Sequence, residues 1–220
     1  MGSWRLIVDP PGDPSANMAA DERVSRMAVE EARPILRLYR WDRPALSLGR
    51  RQKREELPSS LTMNGLPVVW RPTGGGAVLH RTDEFTYALG VPRSGLPCDM
   101  PLRELACFLH RRLCALAEER GWIRSGEILL FRDDPEGPAQ VCFSAPARGD
   151  LIPNGGKVAR AALRVWSDRA LVQGSIQGIP LWYDQLLEAF TAIAEKGFEI
   201  EETVDLHPVD RCRGQGPNLS

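Results

Sequence analysis

Arg71-Pro72-Thr73-Gly74-Gly75-Gly76-Ala77-Val78-Leu79-His80 is the stretch on which the fold of this 220-residue chain turns. Three consecutive glycines cost backbone entropy on folding. They are kept where a ligand must approach the main chain closely, or where φ must be positive. A bare Gly-Gly-Gly would read as a hairpin loop, but here Arg71 precedes it and an apolar, β-branched run ending in His80 follows. The pattern is neither GxxxxGK[ST] nor GxGxxG, which disfavours both common nucleotide folds. Working outward, Pro67–Arg71 reads as a strand entering the loop and Glu84–Val91 as a strand leaving it.

Upstream, Trp4–Val8 reads as a first strand and Asp9–Asp13 as a turn. Ser15 can cap a helix running to about Glu31. Ile35–Trp41 alternates apolar and polar positions and predicts a half-buried strand. Ala45–Gly49 reads as its antiparallel partner across the turn Asp42-Arg43-Pro44. Downstream, Leu102, Leu105, Leu109, Leu113 and Leu116 fall on one face of a helix from Pro101 to Gly121. Ile128–Phe131, Val141–Ser144, Asp150–Ile152, Lys157–Trp166 and Ala170–Ile176 are strand-like, and Pro180–Lys196 is a further helix. This order predicts a single α+β domain over 1–206 around one mixed, largely antiparallel sheet flanked by helices. A loose tail is expected over 207–220.

Composition narrows the function. Hydrophobic residues are 43% and charged residues 26%, which excludes a disordered, fibrous or coiled-coil chain. No apolar run reaches the ~18–20 residues of a membrane span. The net charge is -1, so bulk attraction to nucleic acid or anionic lipid is not expected, and neither is counted as a partner. The basic run Arg50-Arg51-Gln52-Lys53-Arg54 is a local exception. It reads as a solvated loop or as a docking patch. Five cysteines, no CxxC pair and no secretory signal predict free thiols in the cytoplasm, and metal-ligand spacing is absent.

Only three of the 28 basic residues are Lys: Lys53, Lys157 and Lys196. A lysine kept in so Arg-rich a chain suggests a need for a compact ammonium. Lys157 opens a strand after Gly155-Gly156. By itself Cys142, in Val141-Cys142-Phe143-Ser144, reads as a core thiol. An ammonium beside a thiol changes that reading, because it favours the thiolate and can donate to a carbonyl oxyanion. Leu171-Val172-Gln173-Gly174-Ser175-Ile176 is a strand whose small residues could line a pocket. His80 reads either as a proton relay or as a satisfied structural histidine. Cys107 and Cys114 read as packing or surface thiols, and His110 carries no functional signal.

These segments together resemble the lipoate-protein ligase / octanoyltransferase family, which shares its fold with biotin ligases. The likeness is carried by Asn17-Met18-Ala19-x-Asp21-Glu22, Trp41, Ser47-Leu48-Gly49, the Arg71–His80 stretch, Glu84-x-Thr86-Tyr87, Gly156-Lys157-Val158 and the Gln173–Ile176 segment. It runs from residue 4 to about 176. The family holds two chemistries. Its ligases use ATP and magnesium to activate lipoate. Its octanoyltransferases pass octanoate from acyl carrier protein through a cysteine thioester, with no cofactor.

Cys142-Phe143 resembles the nucleophile segment of the ligase-like cysteine octanoyltransferases. The resemblance therefore implies octanoyl transfer from octanoyl-acyl carrier protein to a lysine of a lipoyl domain or glycine-cleavage H protein. It implies Cys142 and Lys157 as catalytic residues. Arg71, Gly74, Gly75, Gly76, Ala77, His80, Gly174 and Ser175 would bind substrate, and no metal site is implied. One departure stands out. Where the family usually reads Gly-Ser-Ala-Gln, this chain has Arg160-Ala161-Ala162-Leu163. A catalytically impaired homologue that binds an acyl group or a carrier protein thus remains a third reading beside transferase and ligase.

Overall fold

The computed structural model describes residues 3–57, 65–96, 100–130, 150–153, 159–178 and 181–198. Its elements are β1 (Arg5–Val8), α1 (Pro14–Glu30), β2 (Ile35–Tyr39), β3 (Ala45–Leu48), β4 (Val68–Trp70), β5 (Val78–His80) and β6 (Phe85–Pro92). They continue with α2 (Leu105–Glu119), β7 (Ile128–Leu130), β8 (Leu151–Pro153), β9 (Ala159–Val165), β10 (Arg169–Ile176) and α3 (Tyr183–Lys196). The expected strand Val141–Ser144 and the tail over 207–220 lie outside the described residues.

The strands form two sheets where one was expected. A seven-stranded sheet has the order β1-β2-β6-β10-β9-β8-β7, and a three-stranded sheet has the order β4-β3-β5. In the large sheet only β1 and β2 run parallel. The hairpin expected between β2 and β3 does not form. Both edges of β2 are taken, by β1 on one side and β6 on the other. The chain leaves the large sheet at Trp41, which bridges Gly12, while the Asp42 amide donates to the Gly12 carbonyl at 3.1 Å. β3 then pairs parallel with β4 and antiparallel with β5.

Two further expectations are corrected. Asp13, not Ser15, caps α1, and its carboxylate accepts from the Ser15 and Ala16 amides at 2.9 and 3.3 Å. Pro14 has no N–H to offer and its fixed φ suits the first helical position, so the cap must precede it. β2 is buried along its whole length. Arg37, one of the polar positions in the expected half-buried pattern, is buried because Asp21 and Asp9 neutralise it at 2.6 and 2.7 Å. A charged residue at an alternating position marks solvent only when no counter-charge lies within the fold.

The large sheet separates two layers. Leu36, Leu38, Leu89 and Val172 share one core with Leu105, Leu109 and Leu113 of α2 and Leu186, Phe190 and Ile193 of α3. α1 packs on β6, β10 and β2. It comes so close that a Cβ at Gly90 would lie 2.7 Å from the Val24 carbonyl. Met18, Tyr39, Trp41, Ala45 and Val69 then join α1 and the end of β2 to the small sheet. The polar residues that reach that junction make the site.

Candidate functional site

The Gly-rich loop is organised around Arg71, whose guanidinium is buried. Its Nε donates to the Gly74 carbonyl at 3.1 Å, and its Nη2 donates to the Gly74 and Gly76 carbonyls at 2.7 Å each. Its Nη1 donates to the Ser47 carbonyl at 3.1 Å and to Ser47 Oγ at 3.2 Å. A cation that collects carbonyls in this way folds the loop back onto β3. Gly49 completes the fit, since a Cβ there would lie 2.0 Å from the Gly75 carbonyl oxygen. Gly75 itself has φ +90°, a conformation that favours glycine.

The loop is also tied to the large sheet. Thr73 Oγ1 donates to Gln173 Oε1 at 2.7 Å, and Gln173 Nε2 donates to Asp21 at 2.7 Å. Asp21 is fully buried and also accepts from Arg37 at 2.6 Å and Tyr39 at 2.7 Å. Burial pushes the Asp21 carboxyl above its usual range, against the pull of Arg37 and the hydrogen bonds of Gln173 and Tyr39. Burial and then the Asp21 charge push the Tyr39 phenol well up.

His80 is held on three sides. Its Nε2 lies 2.7 Å from Ser47 Oγ and its Nδ1 lies 2.5 Å from Glu84 Oε1. The Trp41 ring stacks on it at 3.9 Å between centroids and 16° between planes. Trp41 is fixed in turn by donating to Thr86 Oγ1 at 2.9 Å. Glu84 Oε1 also accepts from Thr86 and Ser175 at 3.0 Å each, and Glu84 Oε2 accepts from Gln177 at 2.6 Å. Both ring nitrogens of His80 are therefore engaged, and the group through which it can act on a ligand is the Ser47 hydroxyl.

These residues surround a cleft. Arg71, His80, Gly174 and Ser175 line it, together with Ser47, Thr86, Gln173 and Arg160 and an apolar wall of Met18, Tyr39, Trp41, Val78, Ala161 and Ala162. Gly74, Gly75, Gly76 and Ala77 do not line it, although Arg71 at its edge holds the Gly74 and Gly76 carbonyls. Gly174 faces the cleft with no room behind, because a Cβ there would lie 2.1 Å from the Tyr87 ring. Cys142 and Lys157 lie outside the described residues. Tyr87, Gln173, Thr86 and Asp21 entered the sequence reading only as parts of motifs. Their signal was polar type inside segments that read as buried.

Arg160, the departure in sequence, is a cleft residue whose Nε lies 3.7 Å from the Asp150 carboxylate. The added charge thus arrives with a counter-charge close by. On the rim, Arg164 donates to the Pro72 carbonyl at 3.3 Å and stacks on Trp166 at 4.1 Å, with Arg169 over the same ring at 4.3 Å. Burial and then the Arg50 charge push the Arg164 guanidinium down, against the pull of Glu22, and Arg169 is paired with Asp168 at 2.9 Å. Elsewhere, Cys107 and Cys114 are buried in α2, and burial pushes the Cys114 thiol up to about 12, far from a reactive thiolate. His110 accepts or donates within a buried pair with the Tyr87 hydroxyl at 2.8 Å. Among the described residues no cluster of His, Cys, Asp or Glu could hold a metal ion, and no helix is long and apolar enough to cross a membrane.

Residues 13–202 match the family described as the lipoyl protein ligase A/B catalytic domain. A protein of Exiguobacterium sp. named Octanoyltransferase LipM is 32% identical over 227 residues, covering 92% of this chain and 79% of that protein. A Kyrpidia tusciae protein of the same name is 34% identical over 184 residues, covering 80% of this chain and 66% of that protein. Among solved structures, a lipoate-protein ligase A bound with ATP superposes with a TM-score of 0.66 at 18% identity, over 85% of this chain and 82% of the other.

Proposed function

The chain belongs to the lipoyl protein ligase A/B catalytic-domain family, and from that premise we propose that it transfers an octanoyl group from acyl carrier protein to a lysine of a lipoyl-carrier protein. The observation that carries this reading is the likeness, at 32% and 34% identity, to proteins named octanoyltransferases. The solved ligase, at 18% identity, supports the fold and does not weigh between the two chemistries. The cleft suits the substrate, offering Met18, Trp41, Val78, Ala161 and Ala162 to a medium acyl chain beside polar groups such as Ser47 and Ser175.

In this reading Cys142 is the nucleophile. Its thiolate attacks the thioester carbonyl, the donor thiol leaves, and octanoyl-Cys142 forms. The acceptor lysine amine then attacks that thioester, an amide forms and the Cys142 thiolate returns. Exchange between thioesters is nearly isoenergetic and thioester-to-amide transfer runs downhill, so neither step needs ATP or a metal. Splitting the transfer lowers each barrier. Lys157 favours the thiolate and donates to the carbonyl oxyanion. Arg71 acts by shaping the loop of Gly74, Gly75, Gly76 and Ala77, while His80, Gly174 and Ser175 border the acyl site. Arg50 and Arg164, close enough to repel one another, offer cations to an acidic donor or acceptor domain.

The test is to mix the chain with octanoyl-acyl carrier protein and a lipoyl domain, without ATP. The reading predicts that the intact mass of the lipoyl domain rises by one octanoyl group. Modification only when ATP and free lipoate are supplied would make the chain a ligase. Binding of the carrier without modification under either condition would make it the impaired homologue.

A further inference from the structure

We propose that Ser47 is a second acyl acceptor at this cleft, activated by His80 and Glu84, and that it gives the chain a hydrolytic activity toward medium-chain acyl esters and thioesters. The inference rests on the cleft holding an acyl chain, as the reading above has it, but it does not involve Cys142. Nothing in octanoyl transfer through a cysteine calls for a hydroxyl, an imidazole and a carboxylate in hydrogen-bonded sequence. Such a sequence is present here. Ser47 Oγ lies 2.7 Å from His80 Nε2, and His80 Nδ1 lies 2.5 Å from Glu84 Oε1. A nucleophile, a base and an orienting carboxylate define a triad by geometry and role, whatever the fold or chain order.

The surroundings set the direction of the hydrogen bonds. Glu84 is ringed by donors from Thr86, Ser175, Gln177 and the Arg81 amide. It therefore accepts from Nδ1–H, which leaves Nε2 as the acceptor of the Ser47 proton. The Trp41 stack keeps the imidazole in the plane that this requires. Arg71 Nη1 donates to Ser47 Oγ at 3.2 Å, which places a positive charge beside that oxygen as it gives up its proton. Ser47, His80 and Arg71 all border the cleft, so a carbonyl bound there meets them.

The step balances with water as the only co-reactant. Ser47 Oγ–H passes its proton to Nε2 and Oγ attacks the acyl carbonyl. The alcohol or thiol leaves with that proton, and octanoyl-Ser47 remains. Water gives a proton to Nε2 and attacks the ester. Octanoic acid departs and the proton returns to Ser47 Oγ.

The experiment uses the full chain carrying Cys142→Ala, with p-nitrophenyl octanoate as the probe. The expected result is release of p-nitrophenol, an octanoyl group mapped to the peptide containing Ser47, and a fall of at least ~100-fold in release when Ser47→Ala is added. An unacylated Ser47 in the Cys142→Ala chain, or release indifferent to Ser47→Ala, overturns the proposal. Should the double variant fail to fold, as read by thermal melting, peptide mapping on the single variant decides. The transfer reading is tested apart from this, on the unaltered chain with octanoyl-acyl carrier protein. Either can therefore fail alone.

Discussion

Gly49 carries no side chain because the Gly75 carbonyl oxygen stands 2.0 Å from where a Cβ would be. The clash is with backbone, so the loop must move if a methyl group is added. Gly49→Ala should cost about 1–3 kcal/mol of stability, the usual range for overpacking. It should also reduce octanoylation more than the loss of folded protein explains, because the loop that Arg71 holds at the edge of the cleft shifts. Thermal melting and an octanoylation assay at a temperature where the variant is folded check both parts. Unchanged activity would show that the loop does not shape the acyl site. At this scale the sequence was legible in kind but not in partner. Three glycines promise a close approach, and the group approached is Arg71 and the Gly49 backbone. The residue type left His80 open between a proton relay and a satisfied structural histidine, and its partners, Ser47 on one nitrogen and Glu84 on the other, were not legible in the sequence.

Between elements, the device that holds the site is the buried chain Arg37–Asp21–Gln173–Thr73, which links β2, α1, β10 and the loop. Removing one charge from a buried ion pair costs more than the pair contributes, because the partner is left uncompensated. Asp21→Asn should therefore destabilise the chain by about 3 kcal/mol, read as a lowered midpoint in urea. Asp9, part-exposed but 2.7 Å from Arg37 Nε, offsets some of the lost charge, which places the cost at the low end of the usual range. A midpoint within error of the parent would show that the network is not the tie between α1 and the loop.

Helix positions were readable because apolar spacing along α1, α2 and α3 is a local signal. The cap of α1 was misplaced by two residues because Ser15 and Asp13 are both good caps, and Pro14 decides between them. The false hairpin had a different cause. A turn sequence says that the chain reverses, whereas pairing depends on which strand edges are already taken.

Across the whole molecule, the α+β class was legible from the alternation of strands and helices, and the split into two sheets was not. Sheet membership is fixed by contacts between residues far apart in sequence, such as Ile35 with Gly90 and Gln173 with Ala88. The cleft lies at the junction of those sheets, which is why its lining comes from α1, β2, β3, β5, β6, β9 and β10 together. Arg71, His80, Gly174 and Ser175 could be picked out by type and motif. Thr73, Gln173 and Asp21 stood there only inside motifs, with no role of their own, since those roles exist only after the layers have packed.

The central claim is that octanoate passes through this molecule on a cysteine. Intact-protein mass spectrometry after mixing the chain with octanoyl-acyl carrier protein, without ATP, tests it directly. The account predicts an octanoyl group that hydroxylamine removes and that maps to the peptide containing Cys142, and that Cys142→Ser abolishes there or converts there to a hydroxylamine-resistant ester. A chain that modifies its acceptor at the parent rate with Cys142→Ser, or that never carries the acyl group while transfer proceeds, would contradict it.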